Sequence, residues 1–340
     1  MISHKIKLLL VLILVWGTSC QKDQDKSDFG LTYPAYFPEP HYKFDKNILT
    51  KEGFELGRSL FFDPILSLDS TISCASCHAQ SHAFADHNTR MSFGVEGKMG
   101  SRNSPAMFNL VWQPIFMWDG GINHIEIMPL APITEEVEMA ETMKNVITKL
   151  NNHPKYVQRF RSVFGEKPIE SQQLFYALAQ YITMLVSDDS KYDQYRKGKT
   201  NLTVDEEDGL QIFKAKCASC HTEPLFTDFS LRNNGLEIIG EDLGHGRITL
   251  EEKDNYKFKV PSLRNVALTY PYMHDGRFRT LEQVLNHYDN GMILHQNIDE
   301  QFTKNNRIGI ALSDVEKQNI IAFLHTLTDY TFISNPIFSE

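Results

Sequence analysis

"CASCH" stands at Cys74–His78 and again, letter for letter, at Cys217–His221. Four of the five cysteines lie in these two pentapeptides, and the fifth, Cys20, falls in the N-terminal leader, so none is spare for a structural disulfide. A C-x-x-C pair alone suits a redox dithiol, half a zinc site or a disulfide. A histidine directly after the second cysteine fits c-type haem attachment best. The two sulfurs add to the porphyrin vinyl groups, and the histidine fills one axial position on the iron from the same short helix. A redox dithiol would sit at a strand-to-helix turn, and neither copy follows a strand-like run. A four-cysteine zinc site would leave both histidines unexplained. The expectation is two covalent haems, one on Cys74, Cys77 and His78, the other on Cys217, Cys220 and His221.

The first twenty residues, "MISHKIKLLLVLILVWGTSC", have a basic start (Lys5, Lys7) and an apolar run from Leu8 to Trp16 that is too short to span a bilayer. They form a secretory leader, residues 1–20, set apart from the fold. Gly17, Thr18 and Ser19 lead into Cys20 as in a bacterial lipoprotein cleavage site, with Cys20 the lipidated first residue; a leucine is usual where Gly17 stands, and ordinary cleavage nearby is the alternative. Either route takes the chain to the periplasm or cell envelope, where c-type haem is attached, and lipidation would anchor it to a membrane. Residues 21–33 are polar and read as a tether.

Removing the leader with its two lysines moves the formal net charge from −9 to −11 before any haem propionates are added. That sign disfavours nucleic acid. Small neutral molecules and a basic redox protein are the partners it fits, since complementary charge mainly speeds encounter. Homodimer formation is left open.

Periodicity is helical wherever it is clear. Met139, Met143, Val146, Ile147 and Leu150 share one face of a helix opened by Thr134, and Leu174, Leu178, Ile182 and Leu185 stripe another capped by Ser171. The charged stretch "SDDSKYDQYRKGKTN" (187–201) is the expected linker. Thr203 then starts a helix running into the second pentapeptide, and Ser313 with Glu316 makes a capping box. The fold expected is mainly α, with two cytochrome c-like domains, residues 34–190 and 191–340, each around one haem.

Six stretches, "LGRSLFFDPILS" (56–67), "SCASCHAQSHAFAD" (73–86), "GSRNSPAMFN" (100–109), "MWDGG" (117–121), "VEM" (137–139) and "VPSLRNVALTYPYMHDG" (260–276), resemble the bacterial dihaem cytochrome c peroxidase and MauG family, in order and with similar spacing. The resemblance runs from about residue 48 to 330. It implies that the His78 haem is the peroxide site and the His221 haem the electron-entry site. Trp118 matches a tryptophan between the haems, Glu138 a distal acid that handles peroxide protons, and His274 an inter-haem histidine. Asn103, Thr269 and Pro271 match positions around a calcium ion between the domains. In the family, peroxide is reduced to water with electrons from a small cytochrome or a copper protein (a cupredoxin).

Chemistry independently asks for some of these, because splitting an O–O bond needs an open iron position and a carboxyl that moves a proton between the two oxygens. The plainer alternatives stay open. Glu138 could belong with Glu135 and Glu136 to an acidic first helical turn, Trp118 could be a buried loop aromatic, and His274 a solvated loop residue. His124, His153, His245 and His295 match nothing and are expected at the surface.

Two departures from the family's peroxidases stand out. Ungapped alignment of "SFGVEGKMGSRNSP" puts Val95 where many of them carry a histidine that closes the peroxide haem, which predicts an open distal position. The loop from His82 to Met99 still holds His82, His87, Met91 and Met99 as substitute ligands. A second distal position, a glutamine in some members, is Met128. At the other haem, the position of an axial methionine is Tyr288, as in MauG. Thr280 with Gln283 makes a capping box, and Leu281, Val284, Leu285 and Tyr288 then share one apolar face. Met273, Met292 and His287 are the competing ligands.

The sequence therefore reads as a dihaem peroxidase. A MauG-like oxidase that modifies a protein is the rival enzyme, and a dihaem electron carrier the non-catalytic rival, which would need neither an open iron nor Glu138.

Overall fold

The computed structural model describes residues 29–86 and 89–340; the leader, Cys20, most of the tether and His87 lie outside the described residues. Helices dominate what is described, and paired strand is one short antiparallel ladder, β1 (Leu231–Arg232) with β2 (Phe258–Lys259). No helix among the described residues is long and apolar enough to cross a membrane.

The first half holds α1 (Lys51–Phe62), the pentapeptide turn α2 (Cys74–Cys77), α3 (Leu130–Thr134), α4 (Met143–Asn151), α5 (Pro154–Phe164) and α6 (Ser171–Thr183). The second holds α7 (Lys191–Arg196), α8 (Val204–Lys216), α9 (Gly246–Thr249), α10 (Leu281–Asn286), α11 (Asp314–His325) and α12 (Tyr330–Ser334). Thr203, Thr280 and Ser313 cap α8, α10 and α11 through boxes with Glu206, Gln283 and Glu316, as the sequence predicts.

Each half is built on one helix crossing, α1 on α6 and α8 on α11. A Cβ on Gly57 would lie 1.9 Å from the Ala177 carbonyl, and one on Gly209 would lie 1.9 Å from that of Asn319. Only a residue without a side chain lets the two backbones touch there. One turn further on, Phe61 and Phe213 are buried beneath their crossings. Leu60, Phe61, Leu178 and Ile182 belong to one hydrophobic cluster, and Leu210, Phe213, Ile320 and Phe323 to another. This duplication is the expected pair of cytochrome c-like domains.

Four expectations change. The helix expected from Thr134 is broken, since α3 ends there and α4 begins at Met143 under a Thr142 cap. The intervening chain turns on itself, with the N–H groups of Glu138 and Ala140 both donating to the Glu135 carbonyl. The cap of α6 is Glu170, with Ser171 its first residue.

The stretch 187–201 is not a solvated linker. Ser187, Ser190, Tyr192 and Asp193 are all buried, because the charge of Asp193 is met inside the protein. Two guanidinium nitrogens of Arg264 donate to its carboxylate at 2.8 Å each, both side chains being 0% exposed. Tyr36 Oη adds a third bond at 2.7 Å, and Arg264 lies 4.8 Å over the Phe37 ring. Burial alone would raise the Asp193 pKa; the bonds and charge of Arg264 overcome it and hold the carboxyl at about 2.

The chain's last residues also leave the half in which they were expected. Phe332 and Phe338 pack into the first hydrophobic cluster. Tyr181 Oη donates to the Phe338 carbonyl at 2.7 Å, and Gln80 Nε2 to that of Asn335 at 2.8 Å.

Candidate functional site

A cavity of about 980 Å³ takes both pentapeptides into its wall: Cys74, Cys77 and His78 from one half, Cys217, Cys220 and His221 from the other. His78 donates from Nδ1 to the Phe84 carbonyl at 2.9 Å, and His221 likewise to Phe226 at 3.1 Å. Each bond fixes the tautomer and turns Nε2 free toward a metal. Burial lowers the pKa of both imidazoles, which keeps them neutral as a ligand must be. Burial also pushes the Cys74 and Cys217 thiols up to about 12, far from the reactive thiolate a redox dithiol needs. Among the described residues no group of three or more His, Cys, Asp and Glu could hold a metal ion. Phe61, Leu178 and Ile182, and opposite them Phe213, Ile320 and Leu324, give the cavity apolar walls suited to porphyrin faces. The residues fit two covalent haems.

Glu138 lines this cavity. It lies in the turn between α3 and α4, so the helix-dipole reading of its charge no longer applies. Its side chain is exposed yet walled in by the cavity, and desolvation, more than the neighbouring Glu135 charge, raises its pKa. Its backbone is pinned by Val95, whose N–H donates to the Glu138 carbonyl at 2.8 Å.

Val95 itself is 1% exposed and absent from the cavity wall; Phe93 and Gly94 stand there instead. A Cβ on Gly94 would meet the Glu138 carbonyl at 2.2 Å. The loop therefore packs flat on the Glu138 segment and turns the Val95 side chain into the core. Met128 lines the cavity as expected, whereas His82, Met91 and Met99 do not. His82 packs edge-on against Tyr270, and Met99 is exposed.

A seam joins the halves through two matching segments. Asn103 donates its backbone N–H to the His274 carbonyl at 2.8 Å, and Lys259 donates its own to the Trp118 carbonyl at 2.7 Å. Trp118 and His274 sit in equivalent loops, "FMWDG" (116–120) and "YMHDG" (272–276). Met117 and Met273 both have positive φ, and Phe116–Ile122 and Tyr272–Phe278 form equivalent antiparallel bridges. This internal repeat is readable in the sequence.

Trp118 donates from Nε1 to the Asn103 carbonyl at 2.7 Å. His274 is not a solvated loop residue: its ring stacks on Phe258 at 3.7 Å and 9°, and desolvation lowers its pKa to about 4. Asp119, 1% exposed, receives Arg102 at 2.7 Å and Arg247 at 2.6 Å, and Arg102 also grips Asp242 at 2.7 Å. His245, expected at the surface, instead donates from Nδ1 to the Asp119 carbonyl at 2.7 Å. His295 similarly reaches the Leu236 carbonyl at 2.7 Å. His124 stays half-exposed beside Glu126, and His153 packs on Tyr156.

Tyr288 lines the cavity near Cys217 and Cys220, and burial raises its pKa to about 12. It follows α10 in a π-turn, His287–Gly291, and shares the cavity wall with Leu281, Val284 and Leu285, the face the sequence predicts. Its rivals fare unequally. His287 is held by the Asn234 carbonyl at 2.9 Å, and Met292 lies outside the wall. Met273 lines the cavity, its sulfur accepting from Asn234 Nδ2 at 3.5 Å. Asn103, Thr269 and Pro271 share the wall as well. The Asn103 amide nitrogen is taken up by the Thr89 and Arg90 carbonyls at 3.3 Å each, leaving its oxygen to offer. Together with the oxygens of Thr269 and Pro271, that is a hard, neutral donor set of the kind calcium accepts.

Residues 51–201 match the model of the di-haem cytochrome c peroxidase family. The chain is 37% identical to the methylamine utilization protein MauG of Methylorubrum extorquens over 85% of its own length and 81% of that protein's. It is 35% identical to the cytochrome c551 peroxidase of Nitrosomonas europaea over 81% and 79%. Among solved structures, a MauG-like protein associated with microbial copper homeostasis superposes with a TM-score of 0.80 at 30% identity, covering 92% of this chain and 99% of that one. Two haem-binding pentapeptides on a duplicated helical frame, matched along most of the chain, place it in the dihaem cytochrome c peroxidase family, of which MauG is a relative.

Proposed function

We propose that the protein reduces hydrogen peroxide to water, with the reaction at the His78 pocket and electron entry at the His221 pocket. One peroxide, two protons and two electrons give two waters; the O–O bond breaks, and the electrons arrive singly from a small redox protein. Bound haem supplies the open iron position and the capacity to store oxidising equivalents.

The chain's own residues do the rest. Glu138 takes a proton from one peroxide oxygen and returns it to the leaving oxygen, a task suited to a carboxyl whose pKa is raised by desolvation. Phe93 and Gly94 cover that pocket without offering an iron ligand. Trp118, held by Asn103, stands at the seam through which electrons pass between the halves. The observation that carries the reading is the placement of Glu138 on the cavity wall, outside any helix. Peroxide-dependent oxidation of reduced cytochrome c by the haem-loaded protein tests it, and a rate no higher than that of free haem would overturn it.

Tyr288 favours a second reading, a MauG-like oxidase acting on a partner protein, since a phenolate stabilises oxidised iron. Peroxide-driven oxidation of a partner's side chains, seen as a mass change, without turnover of cytochrome c would replace the first reading with this one. To the same proposal belong a calcium ion on Asn103, Thr269 and Pro271 and a place in the periplasm on a lipid anchor at Cys20. Calcium removal would then lower activity, and Cys20→Ser would release the protein from the membrane with its haem chemistry intact.

A further inference from the structure

The cavity wall carries five Lys and Arg side chains, and four have protein partners. Arg102 is bonded to Asp119 and Asp242, Arg247 to Asp119, and Arg232 to Asp228 at 2.8 Å and Asp299 at 2.7 Å. Lys216 pairs with Glu316 and donates to the Ala311 carbonyl at 2.8 Å. Lys259 is different. Among the described residues its ammonium has neither an acid nor a hydrogen-bond acceptor, and desolvation alone accounts for a pKa lowered to about 8, still mostly protonated at neutral pH. A desolvated ammonium with no counter-charge is costly, and proteins keep one where something else supplies the anion.

Its position is fixed rather than accidental. Lys259 lies on β2 opposite Leu231, its N–H is bound to the Trp118 carbonyl, and the preceding Phe258 stacks on His274. The backbone of Lys259 is thus held at the seam, and its side chain lines the cavity that takes in both pentapeptides. Each haem brings a pair of propionate carboxylates, attached at the porphyrin edge away from the vinyl groups that the cysteines take.

We propose that Lys259 is the charge partner of haem propionate at the seam, a positioning residue that fixes a porphyrin edge beside Trp118 and raises the reduction potential of the haem it pairs with. This rests on the two-haem reading. The sign follows from electrostatics: an unpaired propionate favours ferric iron, and a cation beside it offsets that preference.

The test uses the full chain matured with haem. Covalent haem count by mass spectrometry reports the two-haem reading on its own; midpoint potentials from spectroelectrochemical titration report Lys259. Lys259→Met should keep two haems and shift one ferric/ferrous equilibrium at least tenfold toward ferric, a drop of 59 mV or more for a one-electron couple. Lys259→Arg should stay within that tenfold. Lys259→Gln, uncharged but long and polar, is titrated alongside, so that poor maturation of the methionine variant still leaves a neutral variant to measure. Potentials within tenfold of the parent in a neutral variant that carries two haems would overturn the proposal, as would an arginine variant that drops as far as the neutral ones.

Discussion

The His78 and His221 pockets share one frame and differ in what overhangs the cavity. Both have a glycine at a helix crossing, a phenylalanine beneath it, an imidazole held through Nδ1 by a backbone carbonyl, and a methionine-led loop at the seam. Over the first stand the Glu138 carboxyl and Phe93; over the second stands the Tyr288 phenol, with Asn234 and Met273 beside it. The frame decides that a haem is held, and the overhang decides whether its iron is left to a substrate or closed by a ligand. The carboxyl proposed to handle protons, Glu138, stands over the first pocket, and the proposed function places peroxide chemistry on that side.

The comparison can be broken most completely at the iron ligand. His78→Gly should abolish peroxide turnover while the spectrum of the other haem survives; activity that persists would mean that the two pockets have been assigned the wrong way round. The shared frame comes next. Asp193→Asn leaves Arg264 buried without its counter-charge, and denaturant titration should show a loss of about 3–5 kcal/mol that unfolds both halves together.

The same carboxyl sets a pH dependence. Its pKa is depressed from 3.8 to about 2, so its stabilisation is fully present above pH 3.8 and is lost as the pH falls through 2. That shift amounts to about 2 kcal/mol.

Glu138→Gln keeps the shape of the overhang and removes its titrating proton. Turnover should fall about 100-fold with haem content unchanged, and an undiminished rate would leave the first pocket without its distinguishing group. The finest distinction is spectroscopic. Electron paramagnetic resonance of the oxidised protein should give one high-spin and one low-spin haem, and Tyr288→Phe should alter the low-spin signal alone. Two low-spin haems at rest would return the first pocket to a closed, ligand-gated form.

Much of this was legible where the signal is local. The pentapeptides, the caps at Thr203, Thr280 and Ser313, and the stripe of Leu174, Leu178 and Ile182 rest on residues within a turn or two of each other, and they stand. What failed depends on distant partners. The stretch around Asp193 looked solvated because its composition is charged, and only Arg264, far along the chain, makes burial possible. The break after Thr134 follows from packing Glu138 against the Val95 loop, which no helical period records. Val95 turns away from the cavity and its neighbour Phe93 meets it, because the backbone contact at Gly94 decides which way the loop turns. Lys259 carried no motif at all; its singularity appears only once the partners of the other cations are known.

The return of the chain's end to its beginning has a consequence for manufacture. A polypeptide is made amino end first, so "CASCH" at Cys74 exists long before Phe332 and Phe338 do. Those two rings belong to the core of the first half, and Gln80, two residues past His78, is bonded to carbonyls of the same tail. The core of the first half is therefore completed only once the last residues of the second half are in place.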